Sequence, residues 1–454
     1  MHQNKTANPF KVPIYRDLLK IAAPVALQNL VISSLSFVDT LMIGQLGEIE
    51  IAAVGIGNQL FFLYTLLLFG IGSASGIFTS QFWGKNDRAS IKFTSGLSIM
   101  LGLAGAVPFT ILSLLIPEKL VGIFSIDPLV IELGAQYVRV VAVSYLFSAV
   151  VITFSQVQRS LERANLPFIV SVIALGINTI LNYLLIFGKA GFPELGVEGA
   201  ALATAVARGL ECILMIAIIY GSRDNPAAGS FKELTGFTAA FFKKFMKTAS
   251  PVILNELFWA MGMTVFKIVY GRIGTSALAS VNIAEAVMNL MFVVLMGSAT
   301  GASVLTGKKI GEGDYSAAKS NGRKFIRLAI IEGLIIAVIC AALSSILPEA
   351  FNVSDELKKS AGLIILIFAG FLPFKSFNLH AIVGIFRGGG DTFFAAVTEI
   401  SGVWGVGVVL AFITGIWLGL PIHVVYLFVS LEEVSKSVFC ALRIRSGKWV
   451  HDLT

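Results

Sequence analysis

The chain has 454 residues, 56% of them hydrophobic and 13% charged, with a net charge of +7. Soluble proteins carry about 25% charged residues, so this composition, with a mean hydropathy of +0.84, excludes a soluble enzyme with a membrane tail, a disordered chain and a disulfide-rich secreted domain. The apolar runs are long enough for spanning helices of about 20 residues and do not alternate as the strands of an outer-membrane barrel do.

The first residues, MHQNKTANPFKVPIYRDLLK, are polar and contain no signal-peptide core. Six apolar stretches follow, near 18–44, 51–80, 94–117, 128–155, 167–188 and 197–220. A polar, basic stretch intervenes, and six more spans come near 245–271, 276–305, 325–347, 359–386, 392–415 and 421–442. The expected fold is an all-α membrane protein of twelve helices in two pseudo-symmetric six-helix bundles around a central cavity. Its expected parts are an N-terminal segment 1–16, an N-lobe 17–221, a linker 222–243, a C-lobe 244–443 and a tail 444–454.

Most of the 34 Lys and Arg residues fall in loops on the side of the N-terminus. The opposite loops hold Lys119, Lys189, Arg272, Lys358 and Lys359. The positive-inside rule therefore puts both termini in the cytoplasm of a cell that carries the chain in its plasma membrane. It also explains the net charge without a nucleic-acid partner. Cys212, Cys340 and Cys440 lie in separate apolar stretches and suggest small core residues.

A shift of 227 residues lays the chain on itself. KIAAPVALQNL (20–30) meets KTASPVILNEL (247–257), Pro24 meets Pro251, Gly44 meets Gly271 and Gly47 meets Gly274. Later, Arg159 meets Arg387 at a shift of 228. Such a period marks a duplicated unit. An even number of spans per unit gives both halves the same orientation, as in transporters built from parallel repeats. Pro24 and Pro251 can bend the first helix of each half.

An ionisable side chain within a span is a functional candidate. Asp39 lies late in the first span, with Ser33, Ser36 and Thr40 on nearby turns. Asn178 and Asn182 share one helical face at i and i+4. Such a carboxylate, ringed by amides and hydroxyls, suits Na+ or a proton. Asn58 and Thr204 are supporting candidates. In the second half, Glu256 lies one residue after Asn255, and Glu285 lies opposite Asn58 in the repeat. Lys375 is the basic group expected to pair with Glu256. Arg208 with Glu211, and Glu432, Glu433 and Lys436, are expected to be pairs at helix ends. His2, His380, His423 and His451 show no metal spacing, although His380 could titrate. No P-loop, cofactor motif or catalytic constellation emerges, and IFRGGGDT (385–392) suits a tight turn better than a phosphate site.

PVALQN, FVDTLMIGQLG, IAAVGIGNQ, NTILNYLLIFG, GVEGAALATAVAR and IFRGGGDT together resemble the multidrug and toxic compound extrusion (MATE) family over about residues 14–450. The resemblance implies a two-lobe antiporter that exports amphipathic or cationic small molecules in exchange for Na+ or H+; a monomer in the lipid bilayer is expected. It implies an ion-sensing cluster of Asp39, Asn178 and Asn182, with Asn182 standing where some members have an aspartate. Glu256 matches a seventh-span glutamate of members with a cation site in the C-lobe, but Lys375 stands where an acidic partner is expected. The alternative is a flippase or exporter of lipid-linked or polar metabolites with the same architecture. A major facilitator is disfavoured because WGKNDRASIK lacks that superfamily's second glycine and paired arginines.

Overall fold

The computed structural model describes residues 13–222, 224–351 and 353–454. The rest of the expected N-terminal segment, with His2, lies outside them. Among the described residues the regular structure is helical: α1 Pro13–Gly44, α2 Glu48–Gly84, α3 Arg88–Leu115, α4 Pro117–Gly122, α5 Pro128–Val141, α6 Ser144–Ser160, α7 Asn165–Ile186 and α8 Gly196–Gly221. There follow α9 Phe231–Thr235, α10 Ala239–Ile273, α11 Thr275–Gly311, α12 Tyr315–Leu343, α13 Asp355–Arg387, α14 Thr392–Trp417 and α15 Ile422–Ser446. Ten of these are long and apolar enough to cross a membrane. The expected fourth span is the pair α5 and α6, bent by 54°. The expected twelfth is α15, long enough at 25 residues but carrying Glu432, Glu433 and Lys436 in its middle.

The repeat is visible in how helices begin. Gly47 precedes α2 and Gly274 precedes α11, both at φ 156°, a backbone setting that favours glycine. Asp87 caps α3 by accepting from the Ser90 amide at 3.0 Å, and its repeat mate Asp314 caps α12 by accepting from the Ala317 amide at 2.9 Å. Each cap satisfies an amide that the first helical turn leaves without a partner.

The chain divides into two compact units, residues 27–249 and residues 250–454 together with the chain before Leu27. In the first, α2, α3, α5, α6 and α8 enclose a core around Tyr64, Tyr145, Val138 and Ala149. In the same unit Phe78 and Phe82 of α2 pack against Phe241 and Phe245 at the start of α10, Phe78 stacked on Phe245 and edge-on to Phe241. Gly199 lets α8 approach the backbone of α7, since a Cβ there would lie 2.6 Å from the Leu185 carbonyl oxygen. In the second unit, the core gathers Phe266, Tyr270, Leu295, Phe368 and Val425. The first part of α1 belongs to it: Leu18 and Ala22 are buried against Gly297 and Gly301 of α11.

Candidate functional site

Helical spacing sets three polar stripes against one another in the 27–249 unit. Ile32, Ser36 and Asp39 lie on one face of α1, Ala174 and Asn178 on α7, and Thr204, Ala207, Arg208 and Glu211 on α8. They line a cavity of about 80 Å³. Asn182 Nδ2 donates to Asp39 Oδ1 at 2.7 Å. The Asn178 amide, oriented by its surroundings, donates to both Asp39 oxygens at 3.2 and 3.3 Å. The structure thus brings together Asp39, Asn178, Asn182 and Thr204. Asn58 adjoins the group through Tyr137, whose hydroxyl donates to Asn58 Oδ1 at 3.2 Å and also meets Thr204. Asn182 Oδ1 is buried with no hydrogen-bond partner, leaving a carbonyl oxygen beside the carboxylate for a cation or a water.

Arg208 and Glu211 are not the helix-end pair expected from sequence. They sit midway along α8, 2.7 Å apart, on the wall of the Asp39 cavity. Glu211 also accepts from Ser171 Oγ at 2.9 Å, and Ser171 accepts from Gln28 Nε2 at 2.8 Å. Gln28 in turn accepts from Arg159 at 2.6 Å. This ladder leads from the cavity to the end of α6. The sequence reading missed Gln28, Tyr137, Arg159 and Ser171. For α8 a signal existed: Thr204, Arg208 and Glu211 recur at i, i+4 and i+7, one face of a helix.

In the second unit the expected pairing of Glu256 with Lys375 is corrected. Glu256 accepts from Arg387 at 2.8 Å, and both side chains are largely buried. Lys375 instead lies 3.8 Å from Glu433 and over the rings of Phe292 and Phe368, at 6.0 and 5.6 Å. The aromatic faces supply the attraction that a second carboxylate would otherwise give. Glu285 pairs with Lys267 at 3.0 Å. Asn255 is buried, with its Oδ1 unpartnered.

A second correction concerns Glu432, Glu433 and Lys436. They are buried midway along α15 rather than at its end. Lys436 lies within 3.5 Å of Glu399, Glu432 and Glu433, and Glu433 accepts from Asn378 at 2.7 Å. With Lys375 at 3.8 Å from Glu433, two cations stand among three carboxylates, a charge cluster that α15 carries through an apolar setting.

Arg159 meets Gln28, and Arg387 meets Glu256, at the same sequence separation of 131 residues. In the 227-residue register Gln28 is the mate of Asn255, so the two arginines reach neighbouring rather than matched positions of the first helix, an amide in one unit and a carboxylate in the other. Beyond Arg387, the glycine-rich segment turns the chain into α14, and Asp391 holds it to Arg443 at 2.7 Å.

The MatE family model matches residues 24–184 and 251–413. The two matched blocks start at Pro24 and Pro251, a pair that the internal repeat superposes. The chain is 25% identical over 442 residues to the uncharacterized transporter YisQ of Bacillus subtilis, covering 96% of this chain and 95% of that one. It is 27% identical over 408 residues to the probable multidrug resistance protein NorM of Pasteurella multocida, covering 87% and 85%. Among solved structures, a MOP superfamily transporter from Pyrococcus furiosus superposes with a TM-score of 0.86 at 19% identity, over 99% of this chain and 100% of that one. An outward-facing multidrug resistance MATE family transporter superposes at 0.87 and 19% identity, over 99% and 100%.

Proposed function

The chain belongs to the MatE family of membrane transporters, and on that premise we propose that it is a secondary active antiporter exporting amphipathic or cationic small molecules in exchange for Na+ or H+ by alternating access. Its setting is the plasma membrane, with both termini cytoplasmic.

The observation that carries this reading is Asp39, a carboxylate in a spanning helix that is met by two asparagine amides and opens on a cavity with Thr204. An intramembrane carboxylate with no bonded counter-charge is unfavourable unless it takes up a cation or a proton. Asn178 and Asn182 can present nitrogen to a bare carboxylate or oxygen to a bound cation, because an amide offers both. The unpartnered Asn182 Oδ1 fits the second role. In this scheme Asp39 takes the ion when open to the outside, and the change of charge favours release of substrate. Ion and substrate then prefer different states of the carrier, which is what coupling requires. Arg208 on the same cavity wall is a tethered cation that Glu211 keeps occupied. Glu256, as a second ion site, would have to exchange its ion against Arg387.

The test is reconstitution in liposomes, following an ethidium-type cation under an imposed Na+ gradient and, separately, a pH gradient. The expected result is movement under one of the two gradients. Asp39→Asn should lower it about tenfold or more, since coupling free energies of about 1–3 kcal/mol correspond to changes of that order. Movement under neither gradient, or full activity in Asp39→Asn, would overturn the reading.

A further inference from the structure

The 250–454 unit holds a further carboxylate that the Asp39 scheme does not use, half-buried between two spanning helices. Glu332 of α12 meets Ser298 of α11 and His380 of α13. His380 is 0% exposed and Ser298 4%.

The hydrogens available to these three side chains fix what the group holds. His380 Nδ1 lies 2.9 Å from the Ser376 backbone oxygen, which can only accept, so Nδ1 carries a hydrogen. The other ring nitrogen, Nε2, lies 2.9 Å from Ser298 Oγ, and Ser298 Oγ lies 3.0 Å from Glu332 Oε1. The hydroxyl has one hydrogen to give. If it goes to Glu332, Nε2 must donate and His380 is an imidazolium. If it goes to Nε2, Glu332 Oε1 must itself carry a hydrogen. Both arrangements contain one proton more than a carboxylate and a neutral imidazole. Without that proton, two acceptors face a single hydroxyl hydrogen and a net negative charge remains within the spanning region. Glu332 Oε2, buried without a hydrogen-bond partner and 3.5 Å from Nε2, gives the same proton a second approach.

We infer that Glu332, Ser298 and His380 form a proton-binding site in the 250–454 unit. This deepens the transport reading, on which the site's use for coupling rests, by giving H+ a place in the second repeat. His380 opens, and Arg387 closes, one π-helical segment. Such widened turns are frequent at functional positions. The bound proton and the Glu256–Arg387 pair therefore sit at the two ends of one irregular stretch of α13.

The charges on the surrounding elements have other positions or partners. On α11, Glu285 is bonded to Lys267, and Lys308 and Lys309 lie about 15 Å along the helix from Ser298. Arg327 of α12 and Arg16 of α1 are exposed, and Lys20 of α1 pairs with Asp17. On α13, Lys375 faces Glu433 and Arg387 faces Glu256. Asp391 beside α14 holds Arg443, while Glu399 of α14 joins Glu432, Glu433 and Lys436 of α15. The proton of the Glu332 site is thus not supplied by a neighbouring lysine or arginine bonded to it.

The full-length protein in lipid nanodiscs, labelled with ¹⁵N-histidine, tests this directly. His380→Gln assigns the His380 signal, and infrared difference spectra are recorded for the protein and for E332Q. A glutamine at 332 can donate to Ser298, which can donate to Nε2, so E332Q closes the same hydrogen-bond chain without the extra proton. At neutral pH the site should show either an imidazolium at His380 or a protonated-carboxyl band that E332Q removes. In E332Q, His380 should be the neutral Nδ1–H form. A neutral His380 in the parent protein, with no carboxyl band sensitive to E332Q, would overturn the proposal. The measurement needs no transport, so a chain that binds the proton but moves no substrate would retire the antiport reading and leave this site standing.

Discussion

Asp39 and Glu256 are both carboxylates on the first helix of a repeat, and their neighbours give them different consequences. Asp39 is held by amides, so converting it to asparagine removes its charge and leaves no bonded cation behind. Glu256 is held by a buried arginine. Glu256→Gln leaves Arg387 without its counter-charge and should cost about 3–5 kcal/mol of stability, the usual range for breaking a buried pair. Adding Arg387→Met should recover most of that loss, and thermal unfolding of the solubilised protein distinguishes the two. Recovery without restored transport would assign Glu256 a role in export beyond packing. At this scale the sequence was legible where one helix face carried the signal, as for Asn178 and Asn182. It was not legible for Arg387 and Glu256, which lie 131 residues apart. Periodicity tells which face of a helix is polar, but only the packed structure tells which helix stands opposite. Lys375 was misassigned for that reason, and its two aromatic neighbours come from two different helices.

Among the elements, the closest approaches depend on glycine. Gly199→Ala would drive a Cβ into the backbone of Leu185. It should destabilise the 27–249 unit by about 1–3 kcal/mol, as overpacking does, and the same unfolding assay reads it. The short helix α9 offers a pH test outside the spans. Glu233 is held down to about 2 by its hydrogen bond from Lys92, and then by the Ser230 amide and hydroxyl. A carboxylate whose folded value lies below its ordinary 4.5 contributes fully above 4.5 and loses that contribution as pH falls toward 2. The protection of the α9 amides against hydrogen exchange, relative to the unfolded chain at the same pH, should therefore fall over that acid window, and Glu233→Gln should remove that change in protection. The long spans could be read from their apolar runs because length and composition alone make a spanning helix. The 54° bend between α5 and α6 and the π-helical stretches of α13 and α14 could not. Those irregularities arise from hydrogen-bond register, which depends on what packs against the turn.

For the whole molecule, the duplication is the most informative sequence feature, since it appears again in the caps and in the family match. The chain passes between its units next to Ala26 and next to Ala249, within two residues of Pro24 and Pro251. Proline inside a helix removes a backbone hydrogen bond and favours bending. Pro24→Ala and Pro251→Ala should each slow transport several-fold while leaving thermal stability equal or higher, because alanine favours the helix by about 3 kcal/mol in an exposed interior position. Unchanged transport in both would mean that these bends are static. The same division bears on how the protein is made. Residues 27–249 are one uninterrupted stretch and can complete their unit as they leave the ribosome. The opening turns of α1 cannot, because Leu18 and Ala22 pack on Gly297 and Gly301, which do not yet exist. At about 5–20 residues per second, that first helix waits on the order of tens of seconds for its partner. During that wait its apolar face must be kept by lipid or by the insertion machinery, so the start of α1 depends on its surroundings until the second half of the chain has been made.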